Sequence, residues 1–315
     1  MKKYNFVKNR KYAFAFSIAL FVFFIIMYAV NGINLDINFK GGTRMMVETV
    51  SEVNPNQAAD LIKGATGREV AASVMETYSG DTEGEKTKML RLDISGNDPL
   101  TPDEEDKVKE VIAQNFEVVL NSPKNENVSI TSTVGRESLR KGILAVIISV
   151  TLILFYVAWR FSILSGFSAA VCAIIALFHD VGVMFGIYIT MGLPLNDIFI
   201  ATVLTVIGYS MNDTVIIYDR IRENTRLMQK SDLGNIVNVS IHQSLSRSIN
   251  TMVTTLICVV VLLVYSATNN IDSLRNFSFS LLLGVITGVY STIFIAAPLW
   301  LLWKERKQKI ALQKA

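Results

Sequence analysis

The sequence has few of the residues that build disulfide frameworks and metal centres. Among 315 residues there are only two cysteines and two histidines. Cys172 and Cys258 both lie inside apolar runs, where we expect small buried hydrophobic side chains. His179 and His242 are too few for a histidine-based metal cluster. The sequence therefore supports neither a disulfide framework nor a zinc site, and we expect no metal and no cofactor.

Two signatures of enzymatic chemistry are also missing from the sequence. The segment Lys40-Gly41-Gly42-Thr43 is not a phosphate-binding loop, because G-x-x-x-x-G-K-[ST] is absent. Tyr218-Asp219 invites comparison with an intramembrane aspartyl protease, but that chemistry needs a second aspartate in Gly-x-Gly-Asp, which does not occur. We therefore expect neither ATP hydrolysis nor proteolysis, and we do not expect an enzyme.

Charged residues are missing from several long stretches of the chain. Hydrophobic residues make up 51% of the sequence, charged residues 18%, and the mean hydropathy is +0.39. A helix needs about 20 apolar residues to cross a bilayer. The first such run is long for a signal peptide and lacks a small-x-small cleavage site, so we expect a retained helix. The six predicted spans are 12–30, 142–159, 161–191, 198–218, 248–267 and 277–303.

The charges that are present are distributed unevenly. Residues 32–138 hold 19 of the 27 carboxylates and carry net −8, whereas the rest of the chain carries net +11. Basic residues are enriched on the cytoplasmic side of membrane proteins. This rule predicts cytoplasmic termini, a cytoplasmic loop 219–247, a basic cytoplasmic tail 304–315 and an external segment 32–138. Contact with anionic lipid explains the basic remainder more simply than nucleic-acid binding.

The external segment has the pattern of a small α+β domain. Strand and helix signals alternate in the order β-α-β-β-α-β, which is the ferredoxin-like pattern. We therefore divide the chain into a first span (1–31), an external domain (32–138), five further spans (139–303) and a tail (304–315). The predicted elements of the domain are strand 35–50, helix 54–65, strand 68–78, turn 79–81, strand 86–94, a helix from 101 and strand 127–134.

Asp213 is the most informative polar residue within the predicted spans. An aspartate at the centre of a membrane helix costs about 2.5–3.5 kcal/mol on insertion scales. Tyr209 lies one turn before Asp213 on the same helical face, and Asn212 adjoins it. One interpretation is a carboxylate that titrates within a helix bundle. The other is that the fourth span ends earlier and Asp213 lies in wet interface.

Other ionisable residues in the spans also allow two interpretations each. Arg247 opens a hydroxyl-rich span and stacks with Thr251 at i, i+4. It is either an electrostatic partner of Asp213 or a snorkelling anchor at the membrane surface. His179 and Asp180 lie midway along the run 161–191, where they form either a titrating relay or a polar break in the apolar run that packs against neighbouring helices.

Several of these segments match the motifs of one family. Residues 35–43 resemble its Asp-Phe-x-Gly-Gly-Thr motif, and Phe178-His179-Asp180 resembles its His-Asp signature. The longest matches are 207–214 and 219–224. By these motifs the chain resembles the SecD/SecF family of protein translocase membrane subunits, which are relatives of the resistance-nodulation-division transporters. The residues shared with the first motif are Asp36, Gly41, Gly42 and Thr43.

The resemblance implies a fold, partners and a mechanism. It implies half of a resistance-nodulation-division unit in the bacterial inner membrane: one helix, one domain, then five helices. The implied partners are SecD, the SecYEG channel, YajC and exported polypeptides. The proton-motive force would drive late steps of export. Asp213 and Arg247 would then carry the proton path together with an aspartate of SecD, with Thr251 as a participant.

One departure from the family pattern and one alternative function remain open. Arg136 follows Val134-Gly135 where the family often has proline, and this affects only the hinge into the second span. The alternative is a half-size proton-coupled efflux or lipid exporter of the same superfamily. Its relatives carry much larger external domains than the roughly 105 residues found here, which favours the translocase subunit.

Overall fold

The computed structural model describes residues 4–78, 86–162, 166–269 and 271–314. The turn predicted at 79–81 lies outside these residues. Within them, six helices are long and apolar enough to cross a membrane, which confirms the six-span prediction. They are α1 (Arg10–Asn31), α5 (Ser132–Arg160), α6 (Gly166–Met191), α7 (Asp197–Leu227), α8 (Leu233–Thr268), and a sixth span of α9 (Asp272–Ser291), a π-helical turn (Thr292–Ala296) and α10 (Ala297–Lys314).

A small α+β domain is inserted between α1 and α5. Its strands form one antiparallel sheet in the order β2-β3-β1-β4, and β5 also pairs with β1. Side chains of both long helices share one apolar core with those of the sheet, so both helices cover the same sheet face. The elements are α2 (Ile37–Lys40), β1 (Gly42–Thr49), α3 (Pro55–Thr66), β2 (Val70–Tyr78), β3 (Lys86–Ser95), α4 (Pro102–Asn115), β4 (Val118–Val119) and β5 (Glu126–Ile130).

The first strand of the domain is shorter than predicted. Residues 35–50 were expected to be extended, but Ile37–Lys40 forms one helical turn. The Asp36 carboxylate caps this turn by accepting a hydrogen bond from the Asn38 backbone N–H at 3.0 Å. Gly41 then takes a left-handed φ of +87°, which glycine adopts without strain. The chain can therefore change direction before β1 begins.

The last strand also ends earlier than predicted. β5 stops at Ile130, and residues 132–134, which were predicted as strand, already belong to α5. The second span helix therefore begins seven residues before the predicted domain boundary at 138/139. Gly135 allows this early start, because a Cβ there would lie 2.9 Å from the backbone oxygen of Phe39 in α2.

The predicted loop 219–247 is mostly helical. α7 continues to Leu227 and α8 begins at Leu233, so only residues 228–232 connect them. The buried amide of Asn224 donates hydrogen bonds to Ser240 Oγ at 2.8 Å and to Gln243 Oε1 at 2.7 Å. Such polar contacts hold the two helices together beyond their apolar parts. The basic tail is helical as well, because α10 runs to Lys314.

Glycine stripes bring the central helices close together. Gly284 and Gly288 of α9 face α7, and a Cβ at Gly284 would lie 2.1 Å from Cγ2 of Val206. Gly182 and Gly186 of α6 likewise lie against two phenylalanine rings of α1. Spacing of small residues by four positions lets membrane helices approach closely. The polar side chains of α6, α7 and α9 can therefore meet inside the bundle.

Candidate functional site

Asp213 lies inside the helix bundle. It belongs to the continuous helix α7, and only 6% of its surface is exposed. Ser248 of α8 donates a hydrogen bond to its Oδ1 at 2.5 Å. Its buried Oδ2 has no hydrogen-bond partner within the described residues. This sheltered position disfavours the wet-interface interpretation, because α7 extends fourteen residues beyond Asp213.

Arg247 does not form a direct ion pair with Asp213. It immediately precedes Ser248 on α8, and its side chain is exposed. Among the described residues, no ion pair within 4.0 Å joins it to a carboxylate, although it interacts electrostatically with Asp213. Arg247 lines a cleft of about 780 Å³ between α7 and α8, as does Asn212. Arg247 therefore faces this cleft, next in sequence to the serine that bonds to Asp213.

Tyr209 and Thr251 flank this pair, each one helical turn away. Tyr209 precedes Asp213 on α7, is half-buried, and lies beside Thr255 of α8. Thr251 follows Arg247 on α8 and is also half-buried. Neither side chain bonds directly to Asp213 in the described part of the chain. Both lie toward the same end of the α7–α8 contact, because Asp213 meets Ser248 and Tyr209 lies beside Thr255 further along α8.

Asp180 forms a second and more deeply buried polar cluster. Its side chain is fully buried in α6. Ser210 of α7 and Ser291 at the end of α9 both donate hydrogen bonds to its Oδ2, at 2.7 and 2.8 Å. Nδ1 of His179 lies 3.4 Å from its Oδ1. α6 is continuous from Gly166 to Met191, and these two polar residues pack against neighbouring helices within it.

His179 completes this cluster on the side of α1. Its ring packs edge-on against Phe21 and lies 5.6 Å from the ring of Tyr290, between centroids. Its buried Nε2 has no hydrogen-bond partner in the ranges described. A histidine beside a carboxylate can accept or release a proton. The Asp180 cluster therefore contains two adjacent titratable groups.

A row of hydroxyl groups connects the region of Asp180 with that of Asp213. Thr214 lies one turn beyond Ser210 on α7, and its Oγ1 lies 2.9 Å from Oγ1 of Thr292. Thr292 follows Ser291 and begins the π-helical turn. Such turns often occur at functional sites. A polar seam between α6, α7 and α9 therefore runs from Asp180 to Thr214, the residue that follows Asp213, whose own hydrogen bond is to Ser248 of α8.

Several members of this seam were not predicted from the sequence. Ser248 was noticed only as one of many hydroxyls, and Ser291 and Thr292 were not considered. A signal was available, because Gly284, Gly288 and Ser291 are small residues at i, i+4 and i+7. That spacing places them on one face of α9, the face that meets α7.

The residues of the family motif 35–43 are mostly buried at the start of the external domain, a region that we call the domain base. The Asp36 carboxylate forms ion pairs with Arg44 at 3.1 Å and Arg91 at 3.5 Å. Partial burial lowers the pKa of Arg44, but its hydrogen bonds and ion pairs with Asp93 and Asp36 outweigh burial and raise this pKa overall. Thr43 Oγ1 accepts the Leu100 N–H at 2.9 Å. These residues hold the fold of the domain base.

The two glycines of this motif permit close backbone contacts. A Cβ at Gly41 would lie 2.7 Å from the backbone of Ser132, and one at Gly42 would lie 2.2 Å from the Ile94 oxygen. Gly41 therefore lets the domain base reach the start of α5. Gly42 lets β1 pair tightly with β3.

Comparison with known proteins identifies the family. The family model "Protein export membrane protein SecD/SecF, C-terminal" matches residues 109–306. SecF of Rhodothermus marinus, a protein translocase subunit, is 31% identical over 94% of this chain and 91% of its own length. The chain belongs to the SecD/SecF family. SecF of Rickettsia rickettsii is also similar, at 34% identity over 96% of this chain and 93% of its own length.

Fused members of the SecD/SecF family contain a region similar to the whole chain. SecDF of Bacillus subtilis is 35% identical over 98% of this chain, which spans 39% of that protein. The crystal structure of the translocon-associated SecDF of Thermus thermophilus matches with a TM-score of 0.78 at 27% identity, over 96% of this chain and 39% of that one. SecDF in a super-membrane-facing form matches with a TM-score of 0.70 at 28% identity, over the whole chain and 40% of that one.

Proposed function

We propose that this chain is the SecF-type subunit of a bacterial Sec translocase. It promotes protein export across the inner membrane together with a SecD-type partner. Its similarity to proteins named protein translocase subunit SecF, over nearly their whole length, supports this function. Its similarity to part of the fused SecDF proteins supports the SecD-type partner. The resemblance adds the SecYEG channel, YajC and exported polypeptides as partners, and the basic charge outside residues 32–138 adds anionic lipid.

We also propose an orientation in which both termini lie in the cytoplasm and the α+β domain lies outside. The net charge of −8 on residues 32–138 and of +11 on the rest supports it. In this orientation the α7–α8 cleft opens to the cytoplasm. Arg220, Arg222 and Arg226 at its rim then follow the positive-inside rule.

Asp213 is the group proposed to couple proton movement to export. The observation that carries this proposal is its burial, with one oxygen bonded to Ser248 and the other without a partner among the residues that the structure describes. A charged carboxylate is costly in such a site, and protonation removes the charge. Arg247 at the cleft favours the charged form again when the helices move together. Gain and loss of a proton would therefore favour two arrangements of α7 and α8.

The energy available is sufficient for such a switch. One charge crossing the membrane potential yields about 2.3 kcal/mol per 100 mV. A tenfold change in a conformational equilibrium needs only about 1.4 kcal/mol. Movement of a single proton could therefore change the population of two bundle states by more than tenfold.

Secretion in intact cells tests the coupling role. Asp213→Asn and Arg247→Met should each reduce export at least about tenfold, which corresponds to about 1.4 kcal/mol. The first substitution removes the carboxylate that binds the proton, and the second removes the cation that favours its charged form. Asp106→Asn is a matched control, since Asp106 pairs only with Lys109 on the exposed face of α4. Normal export in both site variants would overturn the coupling proposal.

Protein level and association with the SecD-type partner must be measured in the same cells. Equal levels and unchanged association would assign the export defect to coupling. Loss of the partner together with export would instead assign Asp213 to assembly of the complex.

A further inference from the structure

The segment that joins α1 to the domain is bonded to the turn between α6 and α7. The Asp36 backbone N–H donates to the Leu195 oxygen at 2.9 Å, and the Leu195 N–H donates to the Asn34 oxygen at 2.9 Å. These two bonds form a parallel bridge between Leu35 and Leu195. We call the bonded segments 31–38 and 189–197 the linker–turn junction.

Three asparagine side chains extend this junction along the linker. Asn31 donates to the backbone oxygens of Ile189 and Thr190 at the end of α6, at 3.0 and 3.3 Å. The other two amides bond to the turn itself and to the start of α7. They are Asn34, which donates to the Gly192 oxygen at 3.2 Å, and Asn38, which donates to Asp197 Oδ2 at 3.2 Å.

The same linker is held firmly by the domain. Asp36, which bonds to Leu195 through its backbone, accepts hydrogen bonds from Arg44 of β1 through its side chain. It also pairs with Arg91 of β3. One residue thus connects the α6–α7 turn to two neighbouring strands of the sheet.

The junction also lies at the end of both helices that carry the buried acids. Asp180 is on α6 and Asp213 is on α7. From Asp180 to the end of α6 is about 16 Å at 1.5 Å per residue, and this stretch is continuous helix. A shift of α6 against α7 therefore moves the turn to which the linker is bonded.

We propose that the linker–turn junction transmits movement of α6 and α7 to the external domain. This inference rests on the proposed function, because it assigns the element through which proton movement reaches the domain. Asn31, Asn34 and Asn38 act as positioning residues: they touch neither of the two acids, but they fix the domain base to the helices that carry them.

Removal of the three amides tests this role in the complete complex with its SecD-type partner and channel. Asn31→Ala, Asn34→Ala and Asn38→Ala together should reduce proton-stimulated export about tenfold, equivalent to about 1.4 kcal/mol. Asn115→Ala is the matched control, because its amide donates only to the Val111 oxygen within α4, and we expect normal export.

A distance measurement separates transmission from simple anchoring. Spin labels at Gln57→Cys on α3 and Thr268→Cys at the end of α8 report movement of the domain against the bundle, in a Cys258→Ser background. We expect the distance to change on acidification of the outer side in the parent protein. The change should disappear or broaden in the triple variant, whereas Asn115→Ala should retain it.

The remaining outcomes of these two experiments would contradict the proposed role of the junction or separate it from the proposed function. Normal export by the triple variant, an unchanged distance shift in it, or no shift in the parent protein would overturn the junction's role. If the triple variant no longer assembles, Asn34→Ala alone is measured against the same criteria. Failure of the proposed function is seen separately, as full export by Asp213→Asn in the same system.

Discussion

At the scale of single residues, the two buried acids differ in how completely they are satisfied. Asp180 accepts two hydroxyl bonds and lies beside His179, whereas Asp213 has one hydroxyl bond and an oxygen without a partner in the described chain. A satisfied buried polar group stabilises one arrangement, and a partly satisfied one is the first to change. Asp180 therefore fits a fixed support of the bundle, and Asp213 fits the switching group.

This difference predicts a large stability effect at the Asp180 cluster. Ser210→Ala with Ser291→Ala removes both hydroxyl donors, and we expect a loss of about 1–3 kcal/mol, the cost of leaving a buried acceptor without its hydrogen bonds. Thermal unfolding in detergent measures it. Ser266→Ala is the control, because that buried hydroxyl bonds only within α8. Equal melting of the double variant and the control would refute the supporting role.

The sequence indicated these acids but not their partners. Asp213, Asp180 and His179 could be singled out because charge within an apolar run is rare and costly. For Ser291 the spacing of small residues indicates only the face of α9 on which it lies; its contact with Asp180 depends on the close approach of α9 that the glycines permit. The distance between Arg247 and Asp213 could not be predicted from the sequence either, because it depends on the rotation of α8 about its axis.

At the scale of elements, close helix approach depends on Gly284 and Gly288. Gly284→Ala places a Cβ 2.1 Å from Val206, so α7 and α9 must separate. We expect a loss of about 1–3 kcal/mol, as for other overpacked cores, seen as a lower melting temperature in detergent. Gly208→Ala on α7 is the matched control, because its Cβ would meet nothing within 4 Å and alanine favours helix.

This substitution should also reduce export. Ser210 of α7 and Ser291 of α9 both donate to Asp180. If α7 and α9 separate, Ser291 moves away from this carboxylate. Unchanged melting and unchanged export in Gly284→Ala would show that the glycine stripe has no role in the site.

The sequence predicted the long elements better than the short ones. The six spans and the β-α-β-β-α-β order follow from periodicity and capping, as at Thr101, which forms a capping box with Glu104. The helical turn Ile37–Lys40 was not predicted, because four residues are too few to show a helical periodicity. The turn is capped by the hydrogen bond from the Asn38 backbone to the Asp36 carboxylate. The early start of α8 at Leu233 was not predicted, because this part of the helix is held by the polar contacts of Asn224, which a hydropathy pattern does not register.

At the scale of the whole molecule, the membrane-spanning helices form two sets: one is about half buried by other helices of the chain, and the other is mostly exposed. About half of the most apolar window is buried in α6, in α7 and in the sixth span, but less than a fifth is buried in α1, α5 and α8. The uncovered part of α8 carries Arg247 and Asn250 beside apolar residues. This arrangement agrees with a chain in which α6, α7 and α9 enclose Asp180, Asp213 lies at the α7–α8 contact, and the outer faces meet lipid or a SecD-type partner.

Cysteine labelling of intact cells tests the proposed orientation. In a Cys258→Ser background, Gln57→Cys on α3 should react with a membrane-impermeant maleimide added outside, after permeabilisation of any outer membrane. Lys307→Cys on α10 should react only after the inner membrane is opened. The reverse pattern would contradict the orientation.

The burial of Asp180 has a consequence for how the protein is made. Its hydrogen-bond donors Ser210 and Ser291 lie 30 and 111 residues further along the chain. The third span, which carries Asp180, is therefore synthesised before either donor. During synthesis this carboxylate stays incomplete until the final helix has been inserted. A chain that terminates before Ser291 therefore lacks one of the two hydroxyl donors to this buried carboxylate.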